Sequence, residues 1–93
     1  MKINIKPSFE KIYKKLPHSE KSQVDEKILE LFNYYNKEVL FSGLRVRKMS
    51  GKGHFFEIDT ALNRRILIRK QKDLIELIAY GNHDEIKRLL KQG

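Results

Sequence analysis

Between Leu44 and Leu90 the chain alternates apolar and polar residues in four short segments, LRVRKM, HFFEID, RRILIRK and LIELIAY, then turns through GNHDEI into the pattern of a short helix. Successive side chains on a strand point to opposite faces, so four such segments in close succession predict an antiparallel meander. Lys52-Gly53, Thr60 to Asn63 and Lys70 to Asp73 supply the turns between them. Leu44 and Val46, Phe56 and Ile58, and Ile66 and Ile68 share one phase and form an apolar face. Arg45, Arg47, Glu57, Asp59, Arg65 and Arg69 fall in the other phase, on a rigid platform that leads toward His83. The last strand, Leu74 to Tyr80, is apolar in both phases except at Glu76, which predicts a central position covered on both faces and a place beside the first strand.

That first strand is Lys2 to Lys6, where Ile3 and Ile5 alternate with polar residues up to Pro7. Ser8 is expected to cap a brief helix over Phe9 to Leu16, with Phe9, Ile12, Tyr13 and Leu16 at helical spacing and Pro17 as its stop. His18 or Ser19 caps a second helix, on which Val24, Ile28, Leu31, Phe32 and Tyr35 form one apolar stripe. The expected fold class is α+β. Two amino-terminal helices pack on one face of a small, antiparallel-rich twisted sheet, the other face is free, and a short helix closes the chain.

At 93 residues this is read as one domain, residues 1–93, large enough to bury about 60% of its unfolded surface. It has no cysteine, which excludes disulfide frameworks, thiol catalysis and thiolate zinc sites and fits a reducing compartment. No apolar run approaches the roughly 20 residues of a membrane helix, and MKINIKPSF has no long apolar stretch like that of a signal peptide, so a cytoplasmic protein without a membrane partner is expected. Zinc or calcium ligand spacing is not present, so no metal site and no cofactor is expected. Twenty lysines and arginines against twelve acids give a net charge of +8, which attracts polyanions or an acidic protein and also serves solubility.

The charged sheet face has two readings. In one it is a ladder of cross-strand pairs, Arg47 near Glu57, Arg45 near Asp59 and Asp59 toward Arg65, each contributing about 0.2–1 kcal/mol. In the other the surplus cations Arg69, Arg64, Lys48, Lys52 and Lys70, which lack an acidic neighbour in this pattern, are available to phosphate.

The order of edge strand, two helices and meander, with KMSGKGHFFEID, then NRRILI, then an apolar strand ending in YGNHDEIKRLL, resembles the RelE/ParE superfamily of toxin–antitoxin toxins. Met49-Ser50-Gly51, Phe56-Glu57-Ile58, Arg64-Arg65-Ile66 and Gly81-Asn82-His83 stand where that family carries its motifs, and the likeness covers almost the whole chain. The resemblance implies a ribosome-dependent endoribonuclease that cuts messenger RNA without a metal, the ribose 2′-hydroxyl attacking the neighbouring phosphate. Such chemistry requires a base, a donor for the phosphorane charge and an acid for the leaving oxygen.

By that resemblance Arg65 stabilises the transition-state charge, His83 serves as acid or base, and Glu57 is a candidate base facing Arg65. For His83 the plain alternative is a helix cap or surface histidine, and for Glu57 a cross-strand salt bridge. Arg45, Arg47, Arg64 and Arg69, with Lys48, Lys52 and His54 at the first turn, are candidate RNA-backbone contacts. Tyr80 either stacks on a base or packs beneath the final helix. The paired central-strand lysines of some members are absent, as is a basic or tyrosine-containing tail after Lys91-Gln92-Gly93. A cognate antitoxin, the ribosome and messenger RNA are the implied partners. The alternatives are a ParE-like DNA gyrase inhibitor and a non-catalytic basic domain that binds RNA or protein.

Overall fold

A computed structural model describes residues 2–37, 46–49, 54–61 and 63–92. In chain order these form β1 (Lys2–Ile5), α1 (Pro7–Lys14), α2 (His18–Lys37), β2 (Val46–Lys48), β3 (Phe55–Ala61), β4 (Arg64–Gln71), β5 (Leu74–Gly81) and α3 (His83–Gln92). The strands make one five-stranded sheet in the order β1-β5-β4-β3-β2. The meander pairs antiparallel, whereas β1 lies parallel to β5 with Ile3 opposite Ile75. β5 is therefore flanked on both sides, as its apolarity in both phases, Glu76 apart, predicts.

One sheet face sends Ile58, Ile66, Ile68, Ile75 and Leu77 against Phe9 of α1 and Val24 and Leu31 of α2, and Tyr80 completes this cluster. Each fully buried aliphatic contributes about 1.5–3 kcal/mol relative to exposure. The expectation of a free second face needs correction. Leu67, Ala79 and Met49 form a smaller cluster there with Ile86 of α3, joined by Leu90. A register shift in the β4–β5 ladder between Leu67 and Ile68 accompanies this change of face. On either side of this cluster the face keeps charged side chains together, Arg69 with Glu76 at one end and Arg65 with its partners beside the start of α3 at the other.

The first helix also differs from its sequence expectation. Pro7, which lacks an N–H and has its φ preset, opens α1, so the helix starts two residues before Phe9. Ser8 does not cap it; Ser8 Oγ instead donates to the Ile78 carbonyl at 2.5 Å and ties α1 to β5. On α2, Val24 and Leu31 are completely buried while Phe32 is 41% exposed, so the stripe ends at the helix flank. β3 runs through Ala61 and β4 opens at Arg64, a tighter turn than Thr60 to Asn63, with Asn63 at φ 60°, a left-handed value asparagine tolerates.

Candidate functional site

The antiparallel pairing of β3 and β4 sets Asp59 directly opposite Arg65, with Glu57 one same-face position further along β3. On its other side Arg65 faces Gly81, the last residue of β5, and two residues later α3 begins with His83. Arg65 is thus flanked by carboxylates from β3 and by an imidazole from α3.

What holds His83 there is a reciprocal cap. The Glu85 N–H donates to Asn82 Oδ1 at 2.8 Å, and the Asn82 N–H donates to Glu85 Oε1 at 2.9 Å. This is a capping box with Asn82 as the cap, so His83 is the first helical residue and not the cap. Gly81 makes room for it. A Cβ built at Gly81 would lie 3.0 Å from Glu85 Oε1 and 3.3 Å from Glu85 Cβ, closer than side chains normally pack.

Arg65 Nη1 donates to Glu57 Oε1 at 3.0 Å and contacts His83 Nδ1. A guanidinium only donates, so Nδ1 accepts, and the neutral ring carries its proton on Nε2. Arg65 Nε lies 3.3 Å from Asp59 Oδ1, and Asp59 Oδ2 accepts from Arg47 Nη2 at 2.6 Å. Arg47 is paired by Cα with Glu57, as the ladder reading expects, yet its ion pair runs diagonally to Asp59. A chain of alternating charge, Arg47, Asp59, Arg65, Glu57 and His83, so crosses the sheet from β2 to α3.

Two oxygens in this chain are buried without a hydrogen bond, Glu57 Oε2 and Asp59 Oδ1. Glu57 Oε2 is 3.6 Å from His83 Nδ1 and Asp59 Oδ1 is at ion-pair distance from Arg65, but neither contact has hydrogen-bonding geometry. A buried polar atom left unpaired costs about 1–3 kcal/mol, so both stand out in a small fold. The Glu57 side chain is 4% exposed, Arg65 20% and His83 42%, which sets the histidine and the arginine edge toward solvent.

Several other candidates lie elsewhere. Arg64 and Tyr80 sit on the opposite face, where the Tyr80 hydroxyl donates to Glu20 Oε1 at 3.0 Å and Arg64 Nε lies 3.6 Å from the same oxygen. Tyr80 is a buried core residue under α2, not a base-stacking platform, and burial, followed by Glu20, pushes its phenol pKa up. Arg69 is not a surplus cation either. It pairs with Glu76, whose other oxygen is 2.8 Å from Lys6 Nζ. Lys48 and His54 are exposed near the β2–β3 connection, and Arg45 and Lys52 fall outside the described residues. In the sequence Asp59 reads as a ladder member; its register opposite Arg65 places it beside the other groups of the site. Among the described residues no group of three or more His, Cys, Asp or Glu is arranged to hold a metal ion. No described helix is long and apolar enough to cross a membrane.

A strand and two helices ahead of a four-stranded meander, the first strand joining the last in parallel and a third helix covering part of the second face, constitute the α+β fold of the RelE-type toxins. The chain is similar to one in the crystal structure of the RelB–RelE antitoxin–toxin complex from Methanococcus jannaschii, with a TM-score of 0.71 at 21% identity over 92% of this chain and 96% of that one. It is similar to YoeB from the Staphylococcus aureus dimer, TM-score 0.67 and 18% identity over 89% of this chain and 97% of that one. A third likeness is to YafQ from E. coli, TM-score 0.63 and 11% identity over 91% and 96%. No family model matches the sequence. No curated protein matches it either.

Proposed function

We propose that residues 1–93 form a toxin domain of a type II toxin–antitoxin pair, a ribosome-dependent endoribonuclease that cuts messenger RNA without a metal and is neutralised by a cognate antitoxin. The observation that carries this reading is the meeting of Arg65, Glu57 and His83 on one partly open face, with Arg65 Nη1 touching both of the other groups. The RelE-type fold supports it, and the RelB–RelE complex of Methanococcus jannaschii supports an antitoxin as partner.

In this reading Arg65 is occupied at rest, and a substrate phosphodiester draws Nη1 away from Glu57 and His83 onto its own oxygens. The guanidinium then neutralises the phosphorane charge, for which its fixed fork is suited. Glu57 Oε2, which has no hydrogen bond, takes the proton of the ribose 2′-hydroxyl. The 2′-oxygen bonds to phosphorus and the bond from phosphorus to O5′ breaks. His83, released at Nδ1 and protonated, gives a proton to O5′ through Nε2, leaving a 2′,3′-cyclic phosphate and a 5′-hydroxyl. Arg47 and Lys48 hold the backbone of the message.

Purified, antitoxin-free protein incubated with ribosomes programmed with a defined message should cut it. Arg65→Ala and His83→Ala should each lower the rate by about 100-fold or more. Cleavage that survives both changes would remove these residues from the reaction. No cleavage by folded protein would overturn the reading, and inhibited DNA supercoiling in that case would point to a gyrase-directed toxin.

A further inference from the structure

The arginine that must reach the phosphate has to leave Glu57 and His83 at Nη1 without leaving the site. We infer that Asp59 is the positioning residue that anchors it, holding Arg65 by Nε while Nη1 turns to the substrate. This rests on the ribonuclease reading above.

The geometry divides the guanidinium into sides. Nη1 is taken by Glu57 and His83, whereas Nε faces Asp59 at 3.3 Å. The two carboxylates therefore grip different nitrogens, and loss of the Glu57 contact leaves the Asp59 contact in place. Asp59 is itself fixed: its Cα is paired across the ladder with Arg65, and its second oxygen holds Arg47 Nη2 at 2.6 Å. Its Oδ1 is buried with no hydrogen bond in this arrangement. A small rotation of Arg65 toward the phosphate can align Nε–H with that oxygen, which makes the anchor stronger when the substrate is bound. Positioning of this kind is worth much in rate, because a displacement of about 1 Å at the reacting group can cost about 100-fold.

The test joins kinetics with a signature of Arg65 itself. Asp59→Asn keeps the shape and removes the charge. It should lower kcat in the programmed-ribosome assay by about 100-fold, a larger factor than any change in KM that comes through Arg47, because a misplaced Nη1 is felt most where the phosphorane charge develops. In nitrogen-15 NMR the Arg65 Nε–H signal should shift and exchange faster with water in the variant. An unchanged kcat, or an unchanged Nε–H signal, overturns the inference. Arg47→Ala separates the two arginines: if it reproduces the kcat loss with the Arg65 signal intact, Asp59 acts through Arg47 and the anchor is wrong. Should Asp59→Asn not fold, Asp59→Glu, which keeps the charge and displaces it, takes its place with the same two readings; a kcat or an Arg65 Nε–H signal unchanged in that variant overturns the anchor. If unaltered protein cuts no message, the ribonuclease reading fails, while the NMR arms still decide whether Asp59 holds Arg65.

Discussion

Glu57 and Glu76 are equally buried, 3% exposed each, and their surroundings assign them different work. Glu76 has both oxygens engaged, Oε2 by Lys6 Nζ at 2.8 Å and Oε1 by Arg69 Nε at 2.5 Å. Glu57 has one oxygen bonded and one bare. A satisfied buried carboxylate fixes structure, and a half-satisfied one holds capacity in reserve. The hydrogen bond from Lys6, then Arg69, lowers the Glu76 pKa below its ordinary 4.5, despite burial pulling the other way. The folded protein therefore holds this proton less tightly than the unfolded chain. The pair's contribution to stability is complete above the ordinary carboxylate range and is lost as pH falls through 4.5 toward the lower folded value. Denaturant titrations should show Glu76→Gln less stable than the parent at neutral pH, with the gap narrowing at about pH 3. A gap that stays constant would mean that the charge of Glu76 is irrelevant.

At the scale of elements, the site depends on how α3 begins. Asn82 and Glu85 cap each other, and Gly81 gives Glu85 the space to fold back. Asn82→Ala should cost about 1 kcal/mol of stability, the usual value of an N-cap. Gly81→Ala should push Glu85 aside by a few tenths of an ångström and loosen the same turn. Both should weaken message cleavage beyond their effect on folding, because His83 is the first residue of that helix. Melting temperatures and single-turnover rates measured together check this; equal rates at unchanged occupancy of the fold would detach the cap from the site.

Asn-x-x-Glu before an amphipathic run is a sequence-level signature of this cap, whereas reading His83 as the cap sets the helix start one residue too late. The strands were legible for a simpler reason: Phe56 and Ile58, and Ile66 and Ile68, repeat at the one period a sheet allows. Ser8 has the chemistry of a cap, but Pro7 before it decides the backbone, so α1 starts earlier than the serine suggests. Arg69 and Arg64 looked free because their partners, Glu76 and Glu20, are brought to them by strand pairing and helix packing, which no local pattern shows. The shift at Leu67/Ile68, which lets α3 cover Leu67 and Ala79, leaves no composition signal at all.

For the molecule as a whole, the net charge of +8 is unevenly spent, with Arg47, Arg64, Arg65 and Arg69 all tied to carboxylates. Cations that neutralise phosphates release their counterions, so binding of a polyanion should weaken steeply with salt. Sedimentation with ribosomes at about 50 mM and about 200 mM salt should show at least a tenfold loss of affinity; a flat response would mean that the contact is not with phosphate. The sheet order carries a further consequence for synthesis. Among the described residues β1 pairs with β5 alone, and the imidazole of the site follows β5 by two residues. A growing chain that has passed residue 5 must wait for residue 74 before its first strand can join anything, and for residue 83 before the arginine meets its histidine. Chains released early by a stalled or broken message would carry Arg65 and Glu57 without the imidazole, so only chains made past residue 83 can bring the three groups together.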